Sequence, residues 1–410
     1  MKGENEKVID FSKTNMEKLL TGIRMLDFSR YKAGPYCGML LADMGAEVIR
    51  VERPEGEDDR FLGPLAPNGE SMYLMFTCRN KKCITLNLQS EQGMKVLKDL
   101  VKKTDVVLES LGLKVRKKFG LDYESLKAVN PEIIAVSISG FGNNGPYAHR
   151  LSFDPVAQAI AGIMNINGYP DIPPLKTGVN MVDFNAGVYA ALGTMYALYH
   201  RQKTGQGQEV DIALLDVAAT FLESMVAEYK VLGQVRQRLG NRAMYIYPCD
   251  SFKTKDDYVY IAIGGNALWN RFLKTLDRKD LIDHPDFNSD AKRVAGQEVI
   301  APIINQWLAD KTAAQVVDQL IAAGIPCGKV NTIPEAADDP QIKAREMLVD
   351  IDHPGIGPVP LTGVPVKMSL TPGQIETPAP NLGEHNEEIY RGLLGYSNEK
   401  LSSLADKKVI

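Results

Sequence analysis

Cysteine is scarce in this chain of 410 residues. The five present, Cys37, Cys78, Cys83, Cys249 and Cys327, form no CxxC pair and are odd in number, so neither a disulfide framework nor a zinc site is indicated. A reducing cytoplasm is the simplest home. No stretch approaches the ~20 consecutive apolar residues that a membrane span needs, and residues 1 to 20 are charged and lack the apolar centre of a signal peptide. Charge of one sign is missing too. Lys plus Arg number 47 against 51 Asp plus Glu, a net charge of −4, which gives nucleic acid no basic field to bind. The expected partners are therefore small molecules and other protein chains. Internal repeats and low-complexity segments are absent as well.

What is present begins with a βαβ pattern. Ile23 to Phe28 reads as a strand, Ser29 to Pro35 as a loop, Tyr36 to Met44 as a helix and Glu47 to Glu52 as a second strand. Such a crossover places the loop after the first strand at the carboxyl edge of a parallel sheet, where open α/β folds bind ligands. No GxGxxG follows Phe28, which weakens a nicotinamide or flavin reading. Further strand-like runs at Cys83 to Leu88, Asp105 to Glu109, Ile133 to Ser139 and Glu209 to Leu214 complete a doubly wound α/β pattern. Cations near the strand ends, including Arg79, Lys81, Lys82 and Arg116, read individually as solvated surface. A helix is expected to run from about Asp216 past Met225. A smaller unit follows, with a strand at Tyr258 to Ile263 and helices near Trp269 to Leu276, Ile300 to Leu308 and Ala313 to Ala323. From Gly328 the chain turns extended and Pro-rich.

The chemistry is expected around Asp183, in the segment from Lys176 to Gly193. The spacing of Val188, Leu192, Met195, Tyr196 and Tyr199 predicts a helix with that face inward, running to about Gln202. Asp183 then sits at or beside the N-cap. An Asp there ordinarily does no more than accept hydrogen bonds from free helix N–H groups. Held beside Gly178 and Gly187, where a ligand could approach, the same carboxylate would be a preorganised nucleophile.

Eight segments in one order resemble a family III CoA-transferase, the group that includes formyl-CoA and carnitine CoA-transferases and, as relatives, 2-methylacyl-CoA racemases. They are Leu26 to Pro35, Leu41 to Pro54, Asn80 to Leu88, Ser139 to Tyr147, Phe153 to Ala159, the Asp183 segment, His200 to Gln208 and Leu382 to His385. The resemblance implies that Asp183 attacks an acyl-CoA thioester to give an anhydride, then carries CoA as an aspartyl thioester to an acceptor carboxylic acid. It implies no metal and no permanently bound cofactor, coenzyme A thioester being the substrate. CoA contacts carry over to Tyr31, Lys32, Ala33, Arg53, Leu86, Asn87, Ser110, Leu111, Gly112, Lys118, Arg150 and Asp154. Lys32 stands where some relatives have Gln, and its charge could steady a thioester oxygen or bind a second carboxylate. Lys118 stands where relatives often have Arg, keeping the charge without the bidentate fork.

The implied architecture is a large Rossmann-like domain with a parallel sheet, built from residues 1–225 and a return segment at 331–410, with a smaller α+β domain at 226–330. Two such chains are expected to interlock as rings in a homodimer. The glycine-rich flap of formyl-CoA transferase has no counterpart here, which makes Asn241, Arg242 and Tyr245 the candidates to cover the site. Two alternatives stand beside transfer: a 2-methylacyl-CoA racemase and a catalytically silent CoA-binding subunit. The racemases need a His before the Asp of the Asp154 motif, and this chain has Phe153 there.

Overall fold

The computed structural model describes residues 18–410; the charged N-terminal stretch read above for its lack of a signal sequence lies, through residue 17, outside the described residues. The described chain separates into two compact units, one made of residues 18–161, 178–223 and 340–410 and the other of 162–177 and 224–339.

The first unit is organised on a parallel sheet of six strands. Its elements are β1 (Arg24–Phe28), α1 (Ala33–Asp43), β2 (Glu47–Glu52), α2 (Met72–Cys78), β3 (Lys81–Thr85), α3 (Glu91–Val101), β4 (Val106–Glu109), α4 (Leu113–Lys118), α5 (Tyr123–Lys127), β5 (Ile134–Ser139) and α6 (Asp154–Ala161). After the short α7 (Ile163–Ile166), which groups with the second unit, come α8 (Met181–Thr204), β6 (Glu209–Ala213) and α9 (Leu214–Thr220). The order β3-β2-β1-β4-β5-β6 is that of a doubly wound dinucleotide-type sheet, whose direction of winding reverses between β1 and β4. Strands β1, β2, β4 and β5 are buried along nearly their whole length. Helices on both faces require this, and it explains why burial along these strands does not alternate.

The helices follow from their caps and apolar stripes. Ser90 accepts from the Gly93 N–H to start α3, which then buries Val96, Leu97, Leu100 and Val101. The C-terminal segment closes the edge of the same sheet. His385 N–H donates to the Cys83 carbonyl, Tyr390 Oη donates to the Thr85 carbonyl, and Ile389, Tyr390, Leu404 and Val409 enter the core shared by β1, β2 and β3.

Local differences from the sequence expectation have physical causes. Strand β3 begins at Lys81 rather than Cys83, because the Lys81 ammonium is buried and paired with Asp27 at 2.8 Å. Arg79 is likewise enclosed, with Asp43 at 2.7 Å, and Arg116 lies against Glu109 at 3.2 Å, so these three cations are internal partners and not solvated surface. The helix expected past Met225 stops at Thr220. Among the described residues no helix is long and apolar enough to cross a membrane.

In the second unit, β7 (Cys249–Lys253), β8 (Tyr258–Ala262) and β9 (Cys327–Lys329) form an antiparallel sheet. Its core joins Val259 and Ile261 to Trp269, Phe272, Ile300, Ile304, Val316 and Leu320. The supporting helices are Gly265–Thr275, Gln297–Leu308 and Ala313–Ala322. The last of these opens with a capping box between Thr312 and Gln315. Asn241, Arg242 and Tyr245 belong to this unit, where Asn241 bonds Ser251 Oγ, Arg242 bonds Gln297 and Tyr245 lies under Arg236.

Candidate active site

Where the winding reverses, the loops after β1 and β4 come together: Arg30 N–H donates to Ser110 Oγ at 2.9 Å, across 80 positions of sequence. Glu109, at the end of β4, accepts from the Leu111 N–H at 2.6 Å and from Arg116, which sets the path of Ser110, Leu111 and Gly112. Burial pushes the Glu109 carboxyl up to about 7.

Two cavities flank this junction and share Arg30 and Leu111. The outer one, about 390 Å³, is walled by Phe28, Arg53, Pro54, Leu86, Asn87 and Phe119, among others. Arg53 is there as expected, yet it is already compensated, with Asp58 at 2.9 Å, Glu57 at 3.3 Å and Glu55 at 3.9 Å. Lys118 is exposed, near the Phe119 ring, and does not line either cavity.

The inner cavity, about 240 Å³, is lined by Tyr31, Lys32, Ala33, Ser110, Leu111, Gly112, Arg150, Phe153 and Asp183, together with residues of β5 and α9. Here the structure joins seven of the expected CoA contacts to the expected nucleophile, although they come from four separate parts of the sequence. Lys32 donates to Asn180 Oδ1 at 2.6 Å. Arg150 lies flat over the Tyr147 ring, 3.7 Å from its centre, and the Phe153 ring meets Tyr31 edge-on.

Helix α8 begins earlier than its apolar spacing predicts, with Asn180 as N-cap, which puts Asp183 in the first turn. Asp183 does not cap this helix. Asp154 does, one of its oxygens accepting from the Val182 N–H at 2.7 Å and the Asp183 N–H at 3.1 Å, the other from Gln158. Asp154 is 1% exposed, and both of its oxygens are occupied by protein donors. The consequence falls on its neighbour: Asp183, 9% exposed, accepts no side-chain hydrogen bond among the described residues. Burial pushes its carboxyl up to about 7, the Asp154 charge adds to the shift and Lys32 opposes it.

The buried face of α8 also differs from expectation. Ala186, Gly187, Ala190, Ala191, Thr194 and Ala197 face the core, and Val188, Leu192, Tyr196 and Tyr199 are exposed. Small residues are required because α1 lies close: a Cβ on Gly187 would stand 2.7 Å from the Ala33 carbonyl oxygen. Gly187 thus admits a helix and not a ligand, and Gly178 faces open space. The residues that sequence reasoning missed are Tyr73 and Asp59, which bond the Tyr31 backbone. No motif announces either.

Fold and site together define a CoA-transferase type of protein, and the chain belongs to CoA-transferase family III, whose family model matches residues 20–386. It is 36% identical to a succinyl-CoA–D-citramalate CoA-transferase of Chloroflexus aurantiacus, over 95% of this chain and 98% of that one. It is also 36% identical to a succinate–glutarate CoA-transferase of Agrobacterium fabrum, over 92% of this chain and 96% of that one. A crystal structure of a CAIB/BAIF family protein from Brucella suis superposes with a TM-score of 0.82 at 34% identity, covering 92% of this chain and 100% of that chain.

Proposed function

We propose that this CoA-transferase works through Asp183 as a covalent carrier. The observation that carries the reading is a buried carboxylate that accepts no side-chain hydrogen bond among the described residues, opening onto a cavity between the β1 and β4 loops. A carboxylate engaged by N–H donors is a poor nucleophile, and Asp154 takes those donors away from Asp183. The ionised Asp183 oxygen attacks the thioester carbon, the C–S bond breaks, and an acyl aspartyl anhydride forms with CoA thiolate. The thiolate then attacks the aspartyl carbonyl and expels the first acid. An acceptor carboxylate attacks the aspartyl thioester to form the second anhydride, and the thiolate, released again, attacks its acyl carbon to give the new thioester and restore Asp183. The nucleotide end of CoA occupies the outer cavity along Arg53, Leu86 and Asn87, and the pantetheine passes Leu111 toward Ala33.

The first relative is named for succinyl-CoA and D-citramalate and the second for succinate and glutarate. Lys32, which reaches the Asn180 amide and lies over the Tyr73 ring, and Arg150, over the Tyr147 ring, are cations in the wall around Asp183, and they favour an acid with a second carboxylate. We therefore take dicarboxylic acids as the substrate class. The exposed apolar side of α8 supports a homodimer, since Val188, Leu192, Tyr196 and Tyr199 would otherwise leave a row of large side chains in water.

The test is transfer itself, with succinyl-CoA as donor and a panel of mono- and dicarboxylates as acceptors, read by mass. Failure of every acceptor overturns the proposal. A racemase is disfavoured because Phe153, in the cavity wall, cannot move a proton. Solvent deuterium should therefore not enter the α-position of a 2-methylacyl-CoA at a rate comparable to transfer, and rapid exchange would reverse this ranking.

A further inference from the structure

Tyr31 adopts φ 62°, a left-handed conformation that non-glycine residues rarely take unless their surroundings impose it. Its N–H donates to Asp59 Oδ2 at 3.0 Å, its carbonyl accepts from Tyr73 Oη at 2.8 Å, and its ring meets Phe153 edge-on. Asp59 is itself fixed. It is 2% exposed, and its other oxygen accepts from Arg50 Nη2 at 2.5 Å. Arg50, also enclosed, donates to Glu52 at 2.7 Å, and Glu52 accepts two hydrogen bonds from Arg60 at 2.8 Å each. A chain of buried charges thus runs from the end of β2 to a single backbone amide in the active-site loop. The residues that follow that amide are Lys32, which reaches Asn180 across the mouth of α8, and Ala33, which opens α1.

We propose that Asp59 is a positioning residue that holds Tyr31 in its left-handed conformation and thereby sets the Lys32–Ala33 edge of the cavity against Asp183. The proposal rests on the reading of this cavity as the transfer site. A buried carboxylate bridging a charged donor and an amide is suited to the task. Its Arg50 side prevents rotation, and its free oxygen has one N–H to accept.

The experiment uses Asp59→Asn in the full-length protein. The amide oxygen of that variant turns to the Arg50 charge, leaving its NH2 against the Tyr31 N–H, so the buried pairing persists while the clamp is lost. Turnover with acyl-CoA should fall about 10-fold or more, the scale of a lost hydrogen bond to a charged acceptor, with a smaller change in KM. In a Tyr31→Gly background, where left-handed φ meets no steric penalty, the same substitution should cost less than about 3-fold, because little is left for Asp59 to enforce. Amide hydrogen exchange is the second readout. Asp59→Asn should accelerate exchange at Tyr31 without lowering the thermal midpoint to match, whether or not transfer is detected. A wild-type protein without transfer would refute the functional reading while the exchange still judges the clamp. Equal losses in the two backgrounds, or unaltered exchange at Tyr31, would overturn the positioning role.

Discussion

The two cavities differ in the partners their charged groups have. In the outer one Arg53 lies within 4 Å of three carboxylates, those of Asp58, Glu57 and Glu55. In the inner one, among the described residues, Asp183 accepts no side-chain hydrogen bond, while Lys32 reaches an amide oxygen and lies over the Tyr73 ring. On the proposed reading, the difference separates recognition from chemistry. A binding wall can be assembled from paired groups that exchange partners when ligand arrives, whereas a nucleophile must be held unpaired, and the protein bears the desolvation cost of doing so.

The sharpest way to break the contrast is to remove the unpaired carboxylate. Asp183→Ala should leave a folded protein whose transfer rate is lower by at least ~1,000-fold, since neither alanine nor water can form the anhydride. Assay of donor-to-acceptor transfer checks this, and substantial residual turnover would place the chemistry elsewhere.

A pH profile tests the unsatisfied state itself. The ionised carboxylate attacks, so kcat/KM should climb as pH rises through about 7 and level off above it. Lys32 lowers this pKa and Asp154 raises it. Lys32→Met should therefore move the midpoint to higher pH, and Asp154→Asn, which can keep the cap oxygen, should move it to lower pH.

Stability offers a converse prediction. The folded-state pKa lies above the ordinary value of 3.8, so ionisation of Asp183 opposes folding progressively from about pH 4 to pH 7. Asp183→Asn should raise the thermal midpoint at pH 8 by a few degrees, roughly 1–3 kcal/mol. The gap should close toward pH 4, and a constant gap would assign the effect to packing.

The smallest effect is expected in the outer cavity. Arg53→Ala should weaken acyl-CoA by about 10-fold, the lower end for a charge-assisted contact, because Glu55, Glu57 and Asp58 already share this cation. Acyl-pantetheine, which lacks the nucleotide, should bind the variant as it binds wild type. Equal losses on both substrates would make Arg53 a support for the loop.

The central strands of the large sheet were legible because their β-branched and apolar residues cluster between turn signals; Glu47–Glu52 appears in the sequence with the bounds it has in the structure. Helix α8 was half legible. Its end near Gln202 could be read from periodicity, but its earlier start and its inward face could not, since close approach of α1 selects small residues and leaves the large ones outside. Likewise, Asp183 could be placed near a helix start, yet the question of whether it caps that helix is answered by Asp154, 29 residues away. Periodicity carries no record of such long-range competition for donors. The buried ion pairs of Arg50, Arg79 and Lys81 were invisible for the same reason: a charged residue near a strand end looks alike whether its partner is water or a carboxylate.

The central claim is that Asp183 carries both acyl group and CoA covalently. Wild-type protein mixed with succinyl-CoA, quenched with hydroxylamine during turnover and digested should yield a hydroxamate on the peptide containing Asp183, formed only when the thioester is present. The same modification confined to any other carboxylate, or unmodified Asp183 during active turnover, would contradict the account.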